Sequence, residues 1–259
     1  MKIIHCSDVH LDSRMECNLS TEKARERRHE ILMTFEKMVN FGRKNDVKAI
    51  IIAGDLFDVK CVSKNTTDYL IGIIRQNFDI DFLYLCGNHD ENNFALRLGQ
   101  IPQNLKIFTE NRTKYSYGNV DIYGAVTGND NSYLFENLSP QYDRINIVVL
   151  HGQISLYDSG EAGVISLPRL KDKNIDYIAL GHLHDYQFGR LDKRGIYCYS
   201  GCLEGRGFDE TGEKGFVLID IEEKITHQFV PAAKRIVHAV NADITGKETL
   251  RDIIACVKE

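Results

Sequence analysis

Five short polar clusters contain the residue types that bind divalent metal ions. Five of the nine histidines, at positions 10, 89, 151, 182 and 184, lie in these clusters. Imidazole nitrogens mixed with carboxylate and amide oxygens are the ligands expected around two divalent ions that share one carboxylate. The candidate ligands are Asp8, His10, Asp55, Asn88, His151, His182 and His184. This set of side chains predicts a centre that holds two metal ions.

Each cluster has an ordinary alternative explanation when it is considered alone. A single Gly-Asp or His-Gly pair after an apolar run is usually a chance turn at the end of a strand. Here five such clusters occur in one chain, and each follows a short apolar run. Residues two apart in an extended segment point to the same side, so Asp8 and His10 can face one metal ion, as can His182 and His184. Chance turns do not account for the whole pattern.

The apolar runs predict strands that are buried on both faces. They cover residues 2–6, 48–53, 81–86, 145–150 and 176–180. Helices are predicted over residues 21–44, with Ser20 as the N-cap, and over residues 65–76. This alternation of strand, polar loop and helix indicates βαβ units. Ligands gather outside the carboxyl ends of strands in such sheets, which brings the five clusters to one edge.

The pattern changes toward strands and turns from residue 120 onward. Further strands are predicted over residues 120–126, 186–191, 195–199, 215–221 and 225–230. The chain is therefore expected to form an α/β fold of two packed sheets with helices outside, rather than one doubly wound sheet. We divide it into a domain of residues 1–234 and an extension of residues 235–259. In the extension, residues 236–240 predict a strand, and a helix is predicted after Lys247.

Composition favours an ordinary globular protein, with 43% hydrophobic and 27% charged residues. Seven cysteines without a CxxC pair fit neither a disulfide framework nor a zinc finger. The first residues lack the apolar stretch of a signal peptide, and the longest aliphatic runs are too short to span a bilayer, so we expect a cytoplasmic protein without a membrane partner. The net charge of −5 gives no global footprint for nucleic acid and leaves only a local basic groove for that role.

The order of the motifs resembles the calcineurin-like metallophosphoesterase superfamily over roughly residues 1 to 230. The motifs are Asp8-Val-His10, Gly54-Asp-Leu-Phe-Asp58, Gly87-Asn-His-Asp90, His151-Gly152 and Gly181-His-Leu-His184. The resemblance implies a four-layer α/β/β/α sandwich with a dinuclear metal centre at the carboxyl ends of the strands. It also implies that the first metal is bound by Asp8, His10, Asp55 and His184. The second is then bound by Asp55 as the bridge, with Asn88, His151 and His182.

The same resemblance implies a hydrolytic mechanism. Two divalent ions leave the site with a net attraction for phosphate and activate a metal-bridging hydroxide that attacks phosphorus in line. His89 is then expected to contact the phosphate or protonate the leaving oxygen, with Asp58 orienting it. The alternative for Asp58 is a simple capping role. Arg206 is a candidate phosphate contact, together with Asn88, and a surface turn arginine is an equal alternative. Asp12 and Asp90 are interpreted as structural.

Within this superfamily, the motifs resemble the SbcD-like DNA-repair nucleases. The segments that carry this likeness are Ser7-Asp-Val-His-Leu11, the motif that ends at Asp58, and residues 199–210. We therefore predict a phosphodiesterase that acts on DNA as an exonuclease or endonuclease, uses Mn²⁺ (or Fe or Zn), and binds an SbcC-like ATPase. The extension after residue 234 is similar to the start of a capping domain. An uncapped, open cleft would favour diesters over monoesters and would bind DNA weakly and with strong salt dependence.

Two alternatives remain from the residues alone. One is a phosphomonoesterase or a phosphodiesterase of small molecules such as cyclic nucleotides, because a dinuclear centre by itself does not choose between ester types. The other is a non-catalytic scaffold on the same fold, which the complete set of candidate ligands argues against.

Overall fold

Two six-stranded sheets form the framework of the molecule. The computed structural model describes residues 1–15, 19–58, 62–90, 100–109, 114–126, 138–158, 161 and 163–258. The first sheet has the spatial order β14-β13-β1-β2-β3-β4, with strands numbered along the chain. Its members are β1 (Lys2–Cys6), β2 (Val47–Ala53), β3 (Asp81–Leu85), β4 (Leu105–Ile107), β13 (Gly215–Ile221) and β14 (Ile225–Pro231). Strands β1 to β4 are parallel, and β13 and β14 add an antiparallel edge.

The second sheet has the order β11-β12-β10-β7-β6-β5. Its members are β5 (Lys114–Tyr117), β6 (Val120–Gly124), β7 (Ile145–His151), β10 (Tyr177–Gly181), β11 (Gln187–Arg190) and β12 (Ile196–Tyr199). The four central strands are parallel, and the outer strands β5 and β11 are antiparallel to their neighbours. A separate parallel pair consists of β8 (Gln153–Ser155) and β9 (Val164–Ser166).

Strand β2 shows why the apolar runs lack alternation. Its side chains Ala49 and Ile51 lie in the cluster between the two sheets, together with Ile147 of β7. Its neighbours Ile50 and Ile52 point the other way, into the cluster under the helices. All these side chains are fully buried. A strand that is covered on both faces needs apolar residues at every position, which gives the continuous run in the sequence.

Helices α1 (Thr21–Lys44) and α2 (Lys64–Gln76) cover the outer face of the first sheet. The side chain of Ser20 accepts a hydrogen bond from the backbone N–H of Lys23, as predicted for the N-cap of α1. On the outer face of the second sheet, an apolar cluster packs under the short 3₁₀-helix Leu167–Arg169. The predicted fold class, two sheets flanked by helices, is confirmed. No helix in the described residues is long and apolar enough to cross a membrane.

The parallel strands point their carboxyl ends toward one edge of the molecule. Strands β1, β2 and β3 run together in the first sheet, and β7 and β10 run together in the second. Strand β2 lies against both β7 and β10 across the interface of the sheets. The loops that follow these five strands therefore meet, and they carry the five polar clusters.

The C-terminal extension differs from its prediction. Residues 236–240 form no strand, and Val237 makes only an isolated bridge with Gly212. An apolar pattern produces a strand only where a sheet edge is available, and here residues 238–250 are largely exposed. The final helix, α3 (Leu250–Lys258), begins three residues after the predicted position at Lys247. The short strands β4, β5, β8 and β9, of three or four residues each, were not predicted.

Candidate metal centre

Unusual backbone conformations occur at the ends of the strands. Asp8, His10, Asp55 and His182 all have positive φ angles, of 49°, 51°, 51° and 106°. Residues other than glycine rarely adopt this region, at a cost on the order of 1–3 kcal/mol each, and such strain concentrates at functional sites. Backbone hydrogen bonds between the loops hold these conformations in place. The N–H of Asp8 donates to Gly54 O at 3.1 Å, and the N–H of His10 donates to Asp55 O at 3.0 Å.

Glycine is required where the third loop passes Asp55. A Cβ atom on Gly87 would lie 2.1 Å from Oδ1 and 2.4 Å from the backbone nitrogen of Asp55. With no side chain in the way, the backbone N–H of His89 reaches Oδ1 of Asp55 at 2.9 Å. The close approach of backbone fixes one oxygen of this carboxylate and leaves the other, Oδ2, facing the histidines.

The first group of candidate ligands contains Asp8, His10 and His184. The Nε2 atoms of the two histidines lie 3.3 Å apart, and they lie 4.0 and 3.9 Å from Oδ1 of Asp8. Both oxygens of Asp8 also accept the backbone N–H of His182, at 3.1 and 3.0 Å. Asp8 and His10 are buried, and His184 is partly exposed.

The opposite ring nitrogens of these two histidines face carboxylates. Nδ1 of His184 lies 2.5 Å from Oε1 of Glu210, and Nδ1 of His10 lies 3.2 Å from Oδ1 of Asp58. A carboxylate behind Nδ1 favours the tautomer in which Nε2 carries the lone pair. Two Nε2 atoms that face each other with a carboxylate behind each ring are the arrangement expected of two histidines that bind one metal ion.

The second group contains Asp8, Asp55 and His151, with Asn88 beside it. His151 donates from Nδ1 to Ala53 O at 2.9 Å, which again assigns the lone pair to Nε2. Nε2 lies 2.8 Å from Oδ1 of Asn88 and 3.3 Å from Oδ2 of Asp55. Three acceptor atoms thus converge with no donor among them, which fits a divalent cation. Without one, a proton takes its place: although burial opposes it, the bond to Asp55 raises the pKa of His151 to about 9.

Asp8 belongs to both groups, whereas Asp55 belongs to the second and also faces His10 of the first. Oδ2 of Asp55 is 3.3 Å from Nε2 of His151 and 4.0 Å from Nε2 of His10. His182 is placed differently from the other candidate ligands. Its ring packs edge-to-face against that of His151 with centroids 5.5 Å apart, and burial and the neighbouring His151 lower its pKa. Among the described residues, His182 belongs to neither of the two groups of closely spaced ligand atoms.

The two carboxylates behind the histidines are joined by Arg206. Its Nη1 lies 3.2 Å from Oδ1 of Asp58, its Nη2 lies 3.4 Å from Oε1 of Glu210, and its backbone N–H donates to Oε2 of Glu210 at 2.5 Å. Burial acts to raise the pKa values of Asp58 and Glu210. The histidines and Arg206 outweigh it, so the pKa of Glu210 falls to about 2 and that of Asp58 lies well below its usual range. Both are therefore ionised at neutral pH.

Glu210 was not among the site residues predicted from the sequence. Arg206 was predicted as a phosphate contact, not as the partner of two carboxylates. The segment that contains both residues follows β12. Its position after a strand of the second sheet was the signal that could have identified these residues as part of the site. Its partners could not be read from the chain, because Glu210 lies 26 residues after His184 and Arg206 lies 148 residues after Asp58.

His89 stands at the mouth of the site. Its side chain is half exposed, and its Nδ1 lies 3.6 Å from Oδ1 of Asp58, the oxygen that also faces His10. Its ring packs edge-to-face on that of His10, with centroids 5.4 Å apart. Beside it opens a cavity of about 700 Å³, whose lining includes Asp58, His89 and Arg206.

The two aspartates that were interpreted as structural have backbone partners. Asp90 is buried and accepts hydrogen bonds from the N–H groups of Leu56, Phe57 and Gly87, at 3.2, 2.8 and 2.9 Å. It thereby ties the loop after β2 to the loop after β3. Asp12 accepts from the backbone N–H of Ser63 and fixes the start of α2.

Known proteins match this chain in both sequence and fold. A model of the calcineurin-like phosphoesterase family matches residues 1–186. The chain is 26% identical over 280 residues to the DNA double-strand break repair protein Mre11 of Sulfolobus acidocaldarius. This alignment covers 100% of the chain and 71% of the relative. It is 25% identical over 284 residues to the uncharacterized metallophosphoesterase YhaO of Bacillus subtilis, with coverage of 100% and 67%.

Solved structures show the same architecture at low sequence identity. The protein TT1561 of Thermus thermophilus superposes with a TM-score of 0.58 at 14% identity, covering 88% of this chain and 98% of that one. A dimetal phosphatase from Danio rerio gives a TM-score of 0.53 at 12% identity, covering 89% and 99%. At these identities the likeness establishes the fold.

Proposed function

Because this chain belongs to the calcineurin-like phosphoesterase family, we propose that it is a metal-dependent phosphodiesterase with DNA as its substrate. Membership of the family implies a hydrolase of phosphoester bonds that depends on a dinuclear metal centre. The choice of a diester, and of DNA, is the proposal.

One observation carries the assignment of a metal-dependent reaction. The Nε2 atoms of His10 and His184 face each other at 3.3 Å, while a carboxylate lies behind each ring. On this basis we propose Asp8, His10, Asp55 and His184 as ligands of one ion, and Asp55, Asn88, His151 and His182 as ligands of the other. Asp55 is proposed as the bridge, since its Oδ2 lies between His10 and His151. The mixed nitrogen and oxygen set suits Mn²⁺, Fe or Zn²⁺, of which we propose Mn²⁺.

The residues around the ions divide the remaining chemistry. Two ions in such a site supply an activated water and offset the charge of the phosphoryl group. His89, exposed at the mouth, is proposed to give its proton to the leaving oxygen. Asp58 faces Nδ1 of His89 at 3.6 Å and is proposed to orient the ring so that Nε2 points toward the substrate. Asp58→Asn is therefore expected to reduce kcat less than His89→Asn.

Support for DNA as the substrate comes from the relatives. The Mre11 protein named above is described as acting in the repair of DNA double-strand breaks, and it aligns with the whole of this chain. A second Mre11 protein, from Saccharolobus solfataricus, is 30% identical over 249 residues, covering 87% of this chain and 61% of the relative. An SbcC-like ATPase is the proposed partner, and residues 235–259 are proposed as the start of a capping domain.

The cavity beside His89 favours a second candidate function. Its volume of about 700 Å³ lies within the range of small-ligand sites, roughly 300–1,000 Å³. A site of this size suits hydrolysis of a small phosphoester as well as cleavage of a polymer end.

The decisive test compares kcat/KM for bis-p-nitrophenyl phosphate and p-nitrophenyl phosphate with Mn²⁺ present, alongside cleavage of linear duplex and single-stranded DNA. The proposal predicts a preference for the diester and DNA cleavage that weakens as salt rises. Asp55→Asn, prepared in parallel, should lack both activities and so exclude a contaminating nuclease. A preference for the monoester without cleavage of DNA at low salt would favour the second candidate.

A further inference from the structure

The cavity next to His89 contains an aromatic ring that packing does not explain. Phe208 lines this cavity and is 72% exposed, although it lies in a segment whose other apolar residues, such as Leu203, are fully buried. Its place in the lining of a cavity beside the candidate active site, rather than on an open surface, puts this ring where it can contact a ligand.

The loop that presents Phe208 is fixed on both sides of the ring. On one side, the backbone N–H of Arg206 donates to the carboxylate of Glu210. On the other, the N–H of Thr211 donates to Asp209 O at 3.1 Å. Since Glu210 is itself held by His184, the backbone that presents Phe208 has a defined position relative to the candidate metal centre. A ring on a tethered loop binds a flat ligand at a lower entropic cost than a ring on a loose one.

The position of His89 determines which part of the substrate enters this cavity. In the proposed function, His89 gives its proton to the leaving oxygen. The group attached to that oxygen must then lie on the His89 side of the phosphorus, which is the side where the cavity opens. The lining of the cavity also includes Phe208, Met15 and the exposed Arg14. An exposed aromatic face is a surface on which a nucleobase stacks, and a neighbouring cation strengthens such a contact.

We propose that this cavity is the subsite for the leaving nucleoside and that Phe208 stacks on its base. The inference rests on the proposed function through the role of His89. It goes further because it names the class of the leaving group and the residue that selects it. Stacking on one aromatic side chain tolerates all four bases, so the subsite selects nucleosides over aliphatic alcohols without choosing a sequence.

A binding experiment tests the subsite independently of catalysis. The chain contains no tryptophan, so Phe208→Trp introduces a single fluorescent indole into the cavity. Tyr142→Trp is the matched control, because Tyr142 is 80% exposed but precedes β7, at the edge of the sheet opposite the metal centre. Titration with adenosine, which has no ester to cleave, should quench the indole of the Phe208→Trp variant with saturation. The indole of the control variant should be quenched only in proportion to the adenosine concentration. Equal, unsaturable quenching of both variants would overturn the proposal.

Kinetics provide the second test. The substrates are a dinucleoside monophosphate and the methyl ester of the same nucleotide, whose leaving groups are a nucleoside and methanol. Phe208→Ala should raise KM for the dinucleotide roughly 5- to 150-fold and leave turnover of the methyl ester within about twofold, and Phe208→Tyr should restore the wild-type value. Equal losses on both substrates would refute the subsite while leaving the phosphodiesterase function intact. A wild-type enzyme that cleaves neither diester would refute the proposed function instead, and the adenosine titration would still decide the subsite.

Discussion

Replacing Glu210 by glutamine is expected to weaken the binding of one metal ion. Oε1 of Glu210 lies 2.5 Å from Nδ1 of His184, and its side chain is only 10% exposed. Its pKa of about 2 means that the carboxylate carries its full charge at neutral pH. This charge increases the electron density that His184 offers from Nε2 and holds the ring in one orientation. Glutamine keeps an acceptor for the N–H but removes the charge, and alanine removes both.

The size of the effect follows from similar carboxylate–histidine pairs. Loss of such a partner typically lowers metal affinity 10- to 100-fold, or about 1.4–2.7 kcal/mol. We expect Glu210→Gln near the lower limit and Glu210→Ala near the upper one. Both substitutions also remove part of the ion pairing between Arg206 and Glu210. Each variant should therefore lose at least about 10-fold in metal affinity. The effect should be confined to the ion assigned to His184, because that histidine is the candidate ligand that Glu210 contacts.

Calorimetric titration of the metal-stripped protein with Mn²⁺ measures this directly. Two binding steps are expected, and Glu210→Gln should weaken only one of them. Asp209→Asn is the matched control. It removes the same charge at the neighbouring position, where the side chain is exposed. If Glu210→Gln and Glu210→Ala both bound Mn²⁺ with wild-type affinity in both steps, the assignment of His184 as a metal ligand supported by Glu210 would be wrong.

Three other changes probe different parts of the molecule. His89→Asn should lower kcat about 100-fold, the scale of a lost general acid, without changing the Mn²⁺ stoichiometry measured by calorimetry. Gly87→Ala should weaken Mn²⁺ binding roughly 10-fold or more, because its Cβ would lie 2.1 Å from Oδ1 of Asp55; Gly72→Ala, where a Cβ meets no atom within 4 Å, should bind metal normally. Glu30→Gln should lower the free energy of unfolding at pH 7 by up to ~3 kcal/mol, since ion-paired neighbours outweigh burial and bring the pKa of Glu30 from 4.5 to about 2. A lowered pKa stabilises the fold above pH 4.5, so the difference from wild type should shrink as urea midpoints are measured from pH 4.5 toward 2, and a difference that is constant with pH would contradict this reasoning.

The sequence predicted those parts of the fold in which local pattern and burial coincide. Strands β1, β2, β3, β7 and β10 are continuous apolar runs because both of their faces are covered, and each is followed by one polar cluster. The cap at Ser20 could be predicted because its hydrogen bond spans only three residues. Residues 236–240 are also mostly apolar but have no neighbouring strand. They form no strand themselves, and Val237 makes only an isolated bridge. Pattern alone cannot distinguish these cases, because a strand needs a partner that the pattern does not contain.

Residues behind the candidate ligands depend on partners that are distant in sequence. Glu204 is buried and accepts hydrogen bonds from Oγ1 of Thr34 at 2.8 Å and from the backbone N–H groups of Lys234 and Arg235, at 2.8 and 3.2 Å. These bonds anchor the start of the loop that carries Arg206 and Glu210 to helix α1 and to the junction with the extension. None of them has a local signal, since each joins residues at least 30 positions apart.

The same contacts bear on where the first domain ends. The side chain of Arg235 pairs with Glu30 of α1 at 2.8 Å, and its backbone N–H binds Glu204. A chain cut after residue 234 would keep the Lys234 contacts but would lose those made by Arg235, including a further ion pair with Glu26. A buried carboxylate that loses one of its partners costs more than the bond itself, because the charge stays buried. We therefore expect a fragment of residues 1–234 to be less stable than one of residues 1–236 and to bind Mn²⁺ more weakly, because Glu204 positions the loop that holds Glu210. Thermal melts and Mn²⁺ titrations of the two fragments would decide this, and identical behaviour would show that the loop keeps its position without Arg235.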